Sequence, residues 1–348
     1  MDAIKVLGEY KKRIDSALGD FFDKKINEAE AIDSSAVEIM KNLKDFNLRG
    51  GKRIRPALMI HGYKCFSDAD DKKDKDLIRF SLAAELMEGF FLIHDDVLDQ
   101  DELRRGGPTF HAIYRERFND SHFGEGVAIV AGDMQNSLAN EIIAEAGSVE
   151  LLKQYHKTAL RTEYGWLIES MLTKKPIDEV TEEDVMKVNM YKTSAYTIEG
   201  PLIMGATLAG AGEKNIKILS DFAIPLGQAF QIQDDILGMF GDEKKLGKPV
   251  GSDIREGKVT LLIVKALEKA SEEDKKELLS ALGKKDITIE EIERLRKIIN
   301  DCSSLDYSKR MAEEMIEKAK KALENADFRK EGKDFLEGIA DFLINREY

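Results

Sequence analysis

Adjacent aspartates at the end of an apolar segment are the first residues in this chain whose types and spacing suit chemistry. Asp95 and Asp96 follow the apolar run 90–93 after a single histidine, and Asp99 lies four residues after Asp95. Residues four apart share one helix face, so Asp95 and Asp99 are neighbours whose like charges repel each other. A hard divalent cation offsets this repulsion, and Mg²⁺ typically takes one or two carboxylates, several waters and substrate phosphate oxygens. The spacing predicts a magnesium site, whereas a solvated acidic turn would explain an isolated aspartate pair.

A second aspartate pair repeats this arrangement later in the chain. Asp234 and Asp235 again end an apolar segment, FQIQDDILGMF at residues 230–240, and a glycine-rich stretch with Lys248 follows, then Lys258. Because each aspartate cluster has basic residues downstream, the two clusters together suit metal-assisted chemistry on a diphosphate. An acidic chain does not attract such a polyanion by its net charge, so local cations and metal ions must hold it.

A third segment, GGKRIRP at residues 50–56, has the composition of a phosphate-binding loop. Its two glycines free the backbone to approach an anion closely. Lys52 supplies a compact charge, while Arg53 and Arg55 supply planar guanidinium groups that match phosphate oxygens. On its own this string also suits a solvated surface loop. Neither GxxxxGK[ST] nor GxGxxG after a strand occurs, so nucleotide phosphoryl transfer has no support.

The elements that must position these residues are helices. Short β-branched runs bounded by turn residues, the signal of a sheet, do not recur in the sequence. Apolar residues instead recur at intervals of three and four, as one buried helix face requires. This periodicity is found near the start of the chain and in segments 74–99, 125–145, 148–174, 214–238 and 305–325. The pattern predicts one all-α domain over residues 1–348, with about a dozen or more helices.

Composition and charge exclude several classes of function. The 348 residues carry 53 lysines and arginines against 66 aspartates and glutamates, a net charge of −13, whereas a nucleic-acid binder normally has a basic surplus. Two cysteines, Cys65 and Cys302, are too few for a disulfide framework or a thiolate zinc site. No run of about 18 apolar residues occurs, so we expect no stable membrane insertion. The N-terminus lacks a secretory pattern, which predicts a cytoplasmic protein.

Taken together, the motifs resemble those of the trans-isoprenyl diphosphate synthases, the family of farnesyl and geranylgeranyl diphosphate synthases. The resemblance is carried, in the family's order, by GGKRIRP at 50–56, DDVLDQDELRRGGPTFH at 95–111, YKTS at 191–194, FQIQDDILGMFGD at 230–242 and GKPVGSD at 247–253. It implies a single large helical bundle around a central cavity, and a homodimer. It also implies Mg²⁺-dependent head-to-tail condensation of isopentenyl diphosphate with dimethylallyl, geranyl or farnesyl diphosphate, with up to three ions in each active site.

The same resemblance implies roles for individual residues. The implied Mg²⁺ ligands are Asp95, Asp99 and Asp234, with Asp96, Asp235 and Lys192 completing the catalytic set. The residues implied to bind isopentenyl diphosphate are Lys52, Arg55 and Arg105. Those implied to contact the allylic substrate are Arg104, Lys192, Thr193, Gln231, Lys248 and Lys258. This chemistry requires no nucleophilic side chain, in agreement with the lack of a Ser/His or Cys/His pattern.

Two positions depart from the family pattern. Seven residues before Asp95, where family members often carry a histidine or glutamine that helps to bind isopentenyl diphosphate, this chain has Glu88. A carboxylate there repels a diphosphate unless a lysine or arginine bridges the two. Gly238 stands where the second cluster usually has a third aspartate. We expect weaker binding of a third metal ion, with Asp234 keeping the main role.

Product length depends on the helix that carries Asp95, because the growing chain must run along it from the diphosphate. Phe91 and Phe90 precede Asp95 by four and five residues, about 6 and 7.5 Å along a helix axis. In related enzymes bulky residues at these positions form the cavity floor, and an aromatic pair resembles the farnesyl type. We therefore expect a C15 product, with C20 as the close second. The alternative is that both rings are ordinary core residues and another helix forms the floor.

Two other functions fit parts of the sequence. A terpene cyclase shares the helical fold and the first aspartate cluster, but its second motif is normally of Asn/Ser/Glu type, and it lacks the GGKR segment. A catalytically silent subunit of a two-chain prenyl synthase keeps the fold and loses acidic residues, whereas both clusters are present here. Both alternatives are therefore less favoured than the synthase.

Overall fold

The computed structural model describes residues 2–241 and 250–344, and this part of the chain is almost wholly helical. The prediction of an all-α fold is confirmed. A short 3-10 helix, Ile177–Glu179, and a π-helix, Asn189–Glu199, accompany the α-helices. The α-helices are α1 (Ala3–Glu30), α2 (Ser34–Leu48), α3 (Ile54–Lys64), α4 (Asp71–Asp99), α5 (Phe110–Phe118), α6 (Ser121–Glu145), α7 (Val149–Leu172), α8 (Glu182–Val188), α9 (Gly200–Leu208), α10 (Glu213–Phe240), α11 (Ser252–Glu256), α12 (Leu261–Lys269), α13 (Glu272–Ala281), α14 (Ile289–Asp301), α15 (Ser304–Leu323) and α16 (Lys330–Ile344).

Side-chain caps fix where two of the long helices begin. The Asp70 carboxylate accepts a 2.8 Å hydrogen bond from the Lys73 backbone N–H at the start of α4. The Asp120 carboxylate accepts one of 3.0 Å from the Phe123 backbone N–H at the start of α6. Aspartate suits both positions, because it satisfies an amide group that has no partner within the helix and complements the helix dipole.

The chain forms two compact units, and the first comprises residues 1–157, 200–216 and 327–338. In this unit α4 packs along α6, and α3 packs along α9. Helices α3 and α9 approach closely because α9 has a glycine at the contact. A Cβ at Gly205 would lie 1.8 Å from the Met59 carbonyl oxygen. The middle of α4 is buried on nearly every side, which gives the aspartates at its end a rigid support.

The second unit comprises the described parts of residues 158–199, 217–326 and 339–348. Here α12 packs against α15 and α8, and α14 contacts both α13 and α15. The aspartate pair predicted on α10 belongs to this unit. Because the chain divides in this way, the single domain expected over residues 1–348 stays a prediction.

Two glycines allow α7 and α10 to pack closely against the π-helix. A Cβ at Gly165 in α7 would lie 2.2 Å from the Lys192 backbone nitrogen. A Cβ at Gly227 in α10 would lie 2.6 Å from the Ser194 Cα. Any larger residue at either position would push the backbone of the π-helix away. The YKTS segment is therefore held between two α-helices of the same unit.

A small hairpin follows α4, although sequence analysis predicted no strands. Strand β1 (Leu103–Arg104) pairs antiparallel with β2 (Gly107–Pro108). The two connecting residues, Arg105 and Gly106, have φ values of 53° and 75°, as a two-residue type I′ turn requires. Strands of two residues show no periodicity, so pattern analysis does not detect them. Among the described helices, none is long and apolar enough to cross a membrane.

Candidate active site

The first aspartate cluster occupies the last turn of α4. Asp95 and Asp99 are partly exposed on one face of this helix, as their spacing predicted. The helix ends at Asp99, and carboxylate oxygens of Asp99 and Asp101 lie within 4.8 Å of each other. Carboxylate oxygens are the hard ligands that Mg²⁺ prefers. The donor set therefore fits the predicted ion, and the roles of Asp95 and Asp99 as ligands stay predictions.

Asp96 has a different environment, because it points into the protein. Its side chain is 0% exposed, and its Oδ1 accepts a 2.7 Å hydrogen bond from the Arg104 Nε. Arg104 also donates to the Asp101 carboxylate at 3.0 Å. Burial raises the pKa of Asp96 to about 7, and the Arg104 guanidinium only partly opposes this rise. Asp96 and Arg104 together tie the end of α4 to the hairpin, and the predicted contact of Arg104 with the allylic substrate stays a prediction.

The GGKR segment turns sharply into α3. Gly50 and Gly51 have φ values of 110° and 96°, and Arg53 adopts the left-handed conformation at the residue before the helix. Lys52 is exposed at the tip of this turn. The Arg53 guanidinium instead points inward, where it donates to Asp15 at 2.7 Å and to the Glu85 carboxylate. Arg53, which sequence analysis grouped with the phosphate-binding residues, therefore anchors the turn.

Two of the three residues predicted to bind isopentenyl diphosphate meet at one carboxylate oxygen. The Oε1 of Glu88 lies 2.8 Å from the Arg55 Nη1 and accepts a 2.7 Å hydrogen bond from the Arg105 Nη2. A Cβ at Gly51 would lie 3.5 Å from the Arg105 Cζ, so the hairpin turn and the GGKR turn are adjacent. Lys52 is on the same GGKR turn. Glu88, the departure from the family pattern, is thus bridged by two arginines, the condition under which a carboxylate is tolerated here.

The charges around Glu88 keep it ionised. Burial would raise the pKa of Glu88, but Arg55 and Arg105, assisted by Arg53, lower it below its usual value. Glu85, one turn earlier on α4, behaves oppositely, since burial and the charge of Glu88 raise its pKa. Sequence analysis missed Glu85. Two acids three residues apart within the apolar run ELMEGFF were the available signal.

The second cluster lies on α10 and separates its two aspartates in the same way. Asp234 is exposed, whereas Asp235 is 7% exposed. The Gln231 side-chain amide donates to the Asp235 Oδ1 at 2.7 Å, and its carbonyl oxygen accepts a 2.6 Å hydrogen bond from the Thr193 hydroxyl. Burial, with the charges of Asp253 and Asp234, raises the pKa of Asp235 well above its usual range. The predicted residues Thr193, Gln231 and Asp235 are therefore joined in one hydrogen-bonded chain.

Lysines complete the second cluster. The Lys192 ammonium, on the π-helix, forms an ion pair with Glu169 of α7, a partner for which the sequence offered no signal. The Lys258 ammonium lies 2.6 Å from the Glu256 carboxylate. Lys248 lies outside the described residues. The contacts of these three lysines with the allylic substrate stay predictions.

The environment of Gly238 explains part of the second departure from the family pattern. A Cβ at Gly238 would lie 3.3 Å from the Asp253 Oδ2. The Asp253 carboxylate therefore lies next to the position that the side chain of a third aspartate would occupy. An aspartate at position 238 would add a like charge to Asp235 and Asp253, both of which already belong to this site.

The two phenylalanines predicted to set product length are buried on α4. Phe90 is 5% exposed and Phe91 is 1% exposed, and their ring centroids lie 4.7 Å apart. The Phe90 ring also contacts the His94 ring edge-on, at 4.9 Å. His94 in turn bonds the Ile129 carbonyl through Nε2, at 3.0 Å, which fixes it against α6. His94 is thus a packing and hydrogen-bonding residue, and the role of the two phenylalanines stays a prediction.

Comparison with known proteins agrees with this fold and identifies the family. The family described as Polyprenyl synthetase matches residues 37–299. A short chain isoprenyl diphosphate synthase from Methanothermobacter thermautotrophicus is 37% identical over 86% of this chain and 87% of its own length. A geranylgeranyl diphosphate synthase from Sulfolobus acidocaldarius is 36% identical over 85% of this chain and 87% of its own length.

Solved structures show the same similarity. The geranylgeranyl pyrophosphate synthase from Corynebacterium glutamicum, complexed with isoprenyl diphosphate and magnesium, superposes with a TM-score of 0.89 at 29% identity. The alignment covers 98% of this chain and 99% of that protein. Helices that carry aspartate clusters, on a fold of this kind, define the class of isoprenyl diphosphate synthases. The chain belongs to the polyprenyl synthetase family.

Proposed function

We propose that this protein is a prenyltransferase that joins isopentenyl diphosphate head-to-tail to an allylic diphosphate and releases pyrophosphate. One observation carries the proposal: two clusters of charged side chains lie along one face of α4. Glu88, with its two arginines, and Asp95 are seven residues apart, which is two helical turns or about 10 Å. Such a separation suits two diphosphate substrates whose reacting carbons must meet between them.

Magnesium is the metal that the carboxylates of the site fit. We propose that Asp95, Asp99 and Asp234 hold up to three Mg²⁺ ions with the help of the substrate. Bound Mg²⁺ would neutralise the allylic diphosphate and stabilise it as a leaving group. The exposed or partly exposed positions of these three carboxylates support this role, because substrate oxygens must complete the coordination.

The reaction steps follow from the charges that the chain provides. The allylic C–O bond breaks and its electron pair leaves with pyrophosphate, whose charge Lys192 and Lys258 help to stabilise. Lys52, Arg55 and Arg105 hold isopentenyl diphosphate so that its double bond attacks the allylic carbon. The resulting cation loses a proton, which we assign to the released pyrophosphate. Thr193 and Gln231 keep the polar wall of the allylic site in place.

We propose a short-chain product, with geranylgeranyl diphosphate (C20) as its main form. The aromatic pair Phe90 and Phe91 alone favours C15, as stated above. The names of the Sulfolobus acidocaldarius and Corynebacterium glutamicum proteins support C20 instead. The burial of both rings on α4 supports the proposal that they limit product length.

We also propose that the protein is a homodimer. Large apolar side chains are exposed on α5 and α6, where a soluble monomer would normally carry polar residues. Four of them are Phe118, Phe123, Ile129 and Val130, which are 44–58% exposed. A second copy of the chain would bury them. A cytoplasmic location stays a prediction of the composition.

The reaction is tested by incubating the purified protein alone with isopentenyl diphosphate, Mg²⁺ and one allylic primer of five, ten or fifteen carbons. We expect linear prenyl diphosphates, no activity in excess EDTA, and recovery on addition of Mg²⁺. Cyclic hydrocarbons would identify a terpene cyclase. Turnover that required a second, different chain would identify a silent subunit, and light scattering of the same sample tests the dimer.

A further inference from the structure

Glu88 is a carboxylate in a place where the proposed reaction needs an anion-binding site. Its side chain is 9% exposed, whereas those of Arg55 and Arg105 are 13% and 25% exposed. The acid is therefore the least exposed of the three side chains. This order of burial suggests a carboxylate that holds the arginines, since one that blocked them would be the outermost group.

Two guanidinium groups that approach a single oxygen repel each other unless an anion compensates for their charge. Glu88 supplies this anion at 2.8 Å and 2.7 Å. A guanidinium carries five N–H donors, and the bonds to Glu88 use one from each arginine. Planar guanidinium groups held side by side in this way match the oxygens of a diphosphate.

Besides the two arginines, Glu88 has a side-chain hydrogen bond with Glu85, one turn earlier on α4. The charged groups that face it are Glu85 on α4, Arg53 and Arg55 at the start of α3, and Arg105 in the hairpin. Arg53 is engaged with Asp15 and Glu85. The helix backbone is also fixed, because a Cβ at Gly89 would lie 1.5 Å from the Gln135 Nε2 of α6. A substrate that displaced Glu88 would leave a buried carboxylate uncompensated, at a high energetic cost.

We propose that Glu88 is a positioning residue for isopentenyl diphosphate: it fixes Arg55 and Arg105 side by side and stays bound to them when the substrate binds. This inference rests on the proposed function, because it concerns one substrate of that reaction. The proposal explains how an acid can function at a position where related enzymes often carry histidine or glutamine. The competing role, a carboxylate that substrate must displace, has the opposite kinetic consequence.

The test is steady-state kinetics of Glu88→Gln, which keeps the shape of the side chain and removes its charge. We expect the KM for isopentenyl diphosphate to rise about 10- to 100-fold, the effect of losing charge-assisted hydrogen bonds. The kcat and the KM for the allylic primer should change less than about threefold. A KM for isopentenyl diphosphate that is unchanged or lower would overturn the proposal, and a lower value would establish the competing role.

Two further variants keep the test decisive. Glu88→Asp retains the charge on a shorter side chain, so its KM should lie between those of wild type and Glu88→Gln. If Glu88→Gln does not fold, a KM for Glu88→Asp equal to that of wild type overturns the proposal. Glu102→Gln is the matched control, since Glu102 pairs with Arg115 in the same region at the surface, and its kinetics should match wild type. Absence of turnover by wild type would refute the proposed function itself, whereas an active wild type with insensitive Glu88 variants refutes only this inference.

Discussion

The two aspartate clusters share one plan and differ in what holds the inner aspartate. Each places one aspartate towards solvent, Asp95 or Asp234, and buries the next one. Asp96 is held by the guanidinium of Arg104, a full positive charge. Asp235 is held by the neutral amide of Gln231, and Asp253 adds a further negative charge beside it.

This difference predicts how strongly each cluster would depend on a metal ion. At the end of α4 the Arg104 guanidinium compensates part of the buried charge of Asp96. On α10 the negative charge is less compensated, although Lys258 opposes part of it. If Mg²⁺ binds as proposed, it should stabilise the second cluster more than the first.

The largest effect is expected from removing the outer aspartates. Asp95→Ala or Asp234→Ala should lower turnover by about two to three orders of magnitude, because each removes electrostatic stabilisation of the leaving group. Both variants should stay folded, since removing one of several crowded carboxylates relieves repulsion. Turnover at saturating Mg²⁺ and circular dichroism measure the two effects.

Asp71→Ala is the control for these variants. Asp71 is exposed in the first turn of α4, far along the helix from the site, and its loss should leave activity unchanged. Near-wild-type activity in either outer-aspartate variant would refute the two-cluster mechanism.

The partners of the inner aspartates test the comparison directly. Arg104→Met leaves Asp96 buried beside no positive charge and should lower the free energy of unfolding by about 3–5 kcal/mol. Gln231→Met removes one neutral hydrogen-bond partner from Asp235 and should lower it by about 1–2 kcal/mol. Urea unfolding of both variants without metal measures the difference. Equal losses would show that the two inner aspartates are held equally strongly.

The cations should separate the two substrates kinetically. Lys52→Ala or Arg55→Ala should raise the KM for isopentenyl diphosphate about tenfold or more, because each removes a charge from that headgroup. Lys192→Ala should instead raise the KM for the allylic diphosphate. The KM for each of the two substrates is measured by varying that substrate at a saturating concentration of the other. The reverse pattern would show that the substrate roles have been exchanged.

Replacing Phe90 and Phe91 should change the reaction rate less than the other substitutions. It should instead change the length of the product. Phe90→Ala together with Phe91→Ala should open the space below Asp95 and lengthen the product by one or more C5 units. Phe230 precedes Asp234 by four residues, as Phe91 precedes Asp95, so Phe230→Ala is the matched control on α10. Chromatography of the products should show lengthening only in the α4 variant. An unchanged distribution of product lengths in the α4 double variant would show that Phe90 and Phe91 do not form the floor of the cavity.

Local periodicity was enough to predict part of the site. A spacing of four residues puts Asp95 and Asp99 on one face, and the structure has them so. The inward direction of Asp96 follows the same rule, because it lies three residues after the buried Ile93. Both features depend only on helix geometry within α4, so the sequence of this helix is sufficient to predict them.

Contacts between distant segments were not predictable in this way. The meeting of Arg55 and Arg105 at Glu88 requires a turn before α3 and a hairpin after α4 to come together around one side chain. The ion pair between Lys192 and Glu169 depends on how α7 packs against the π-helix. The family resemblance indicated which arginines and lysines bind substrate. Their carboxylate partners could be identified only from the tertiary structure.

The π-helix that carries Lys192 and Thr193 imposes a constraint on insertions and deletions. Such helices are rare and wider than α-helices, because each carbonyl bonds an amide five residues further on. Deleting one residue within Asn189–Glu199 would favour an ordinary α-helix. Residues on one side of the deletion would then turn by about 100° relative to those on the other. Surface loops in general tolerate insertions and deletions, whereas this stretch must keep its length for its lysine and threonine to stay in register.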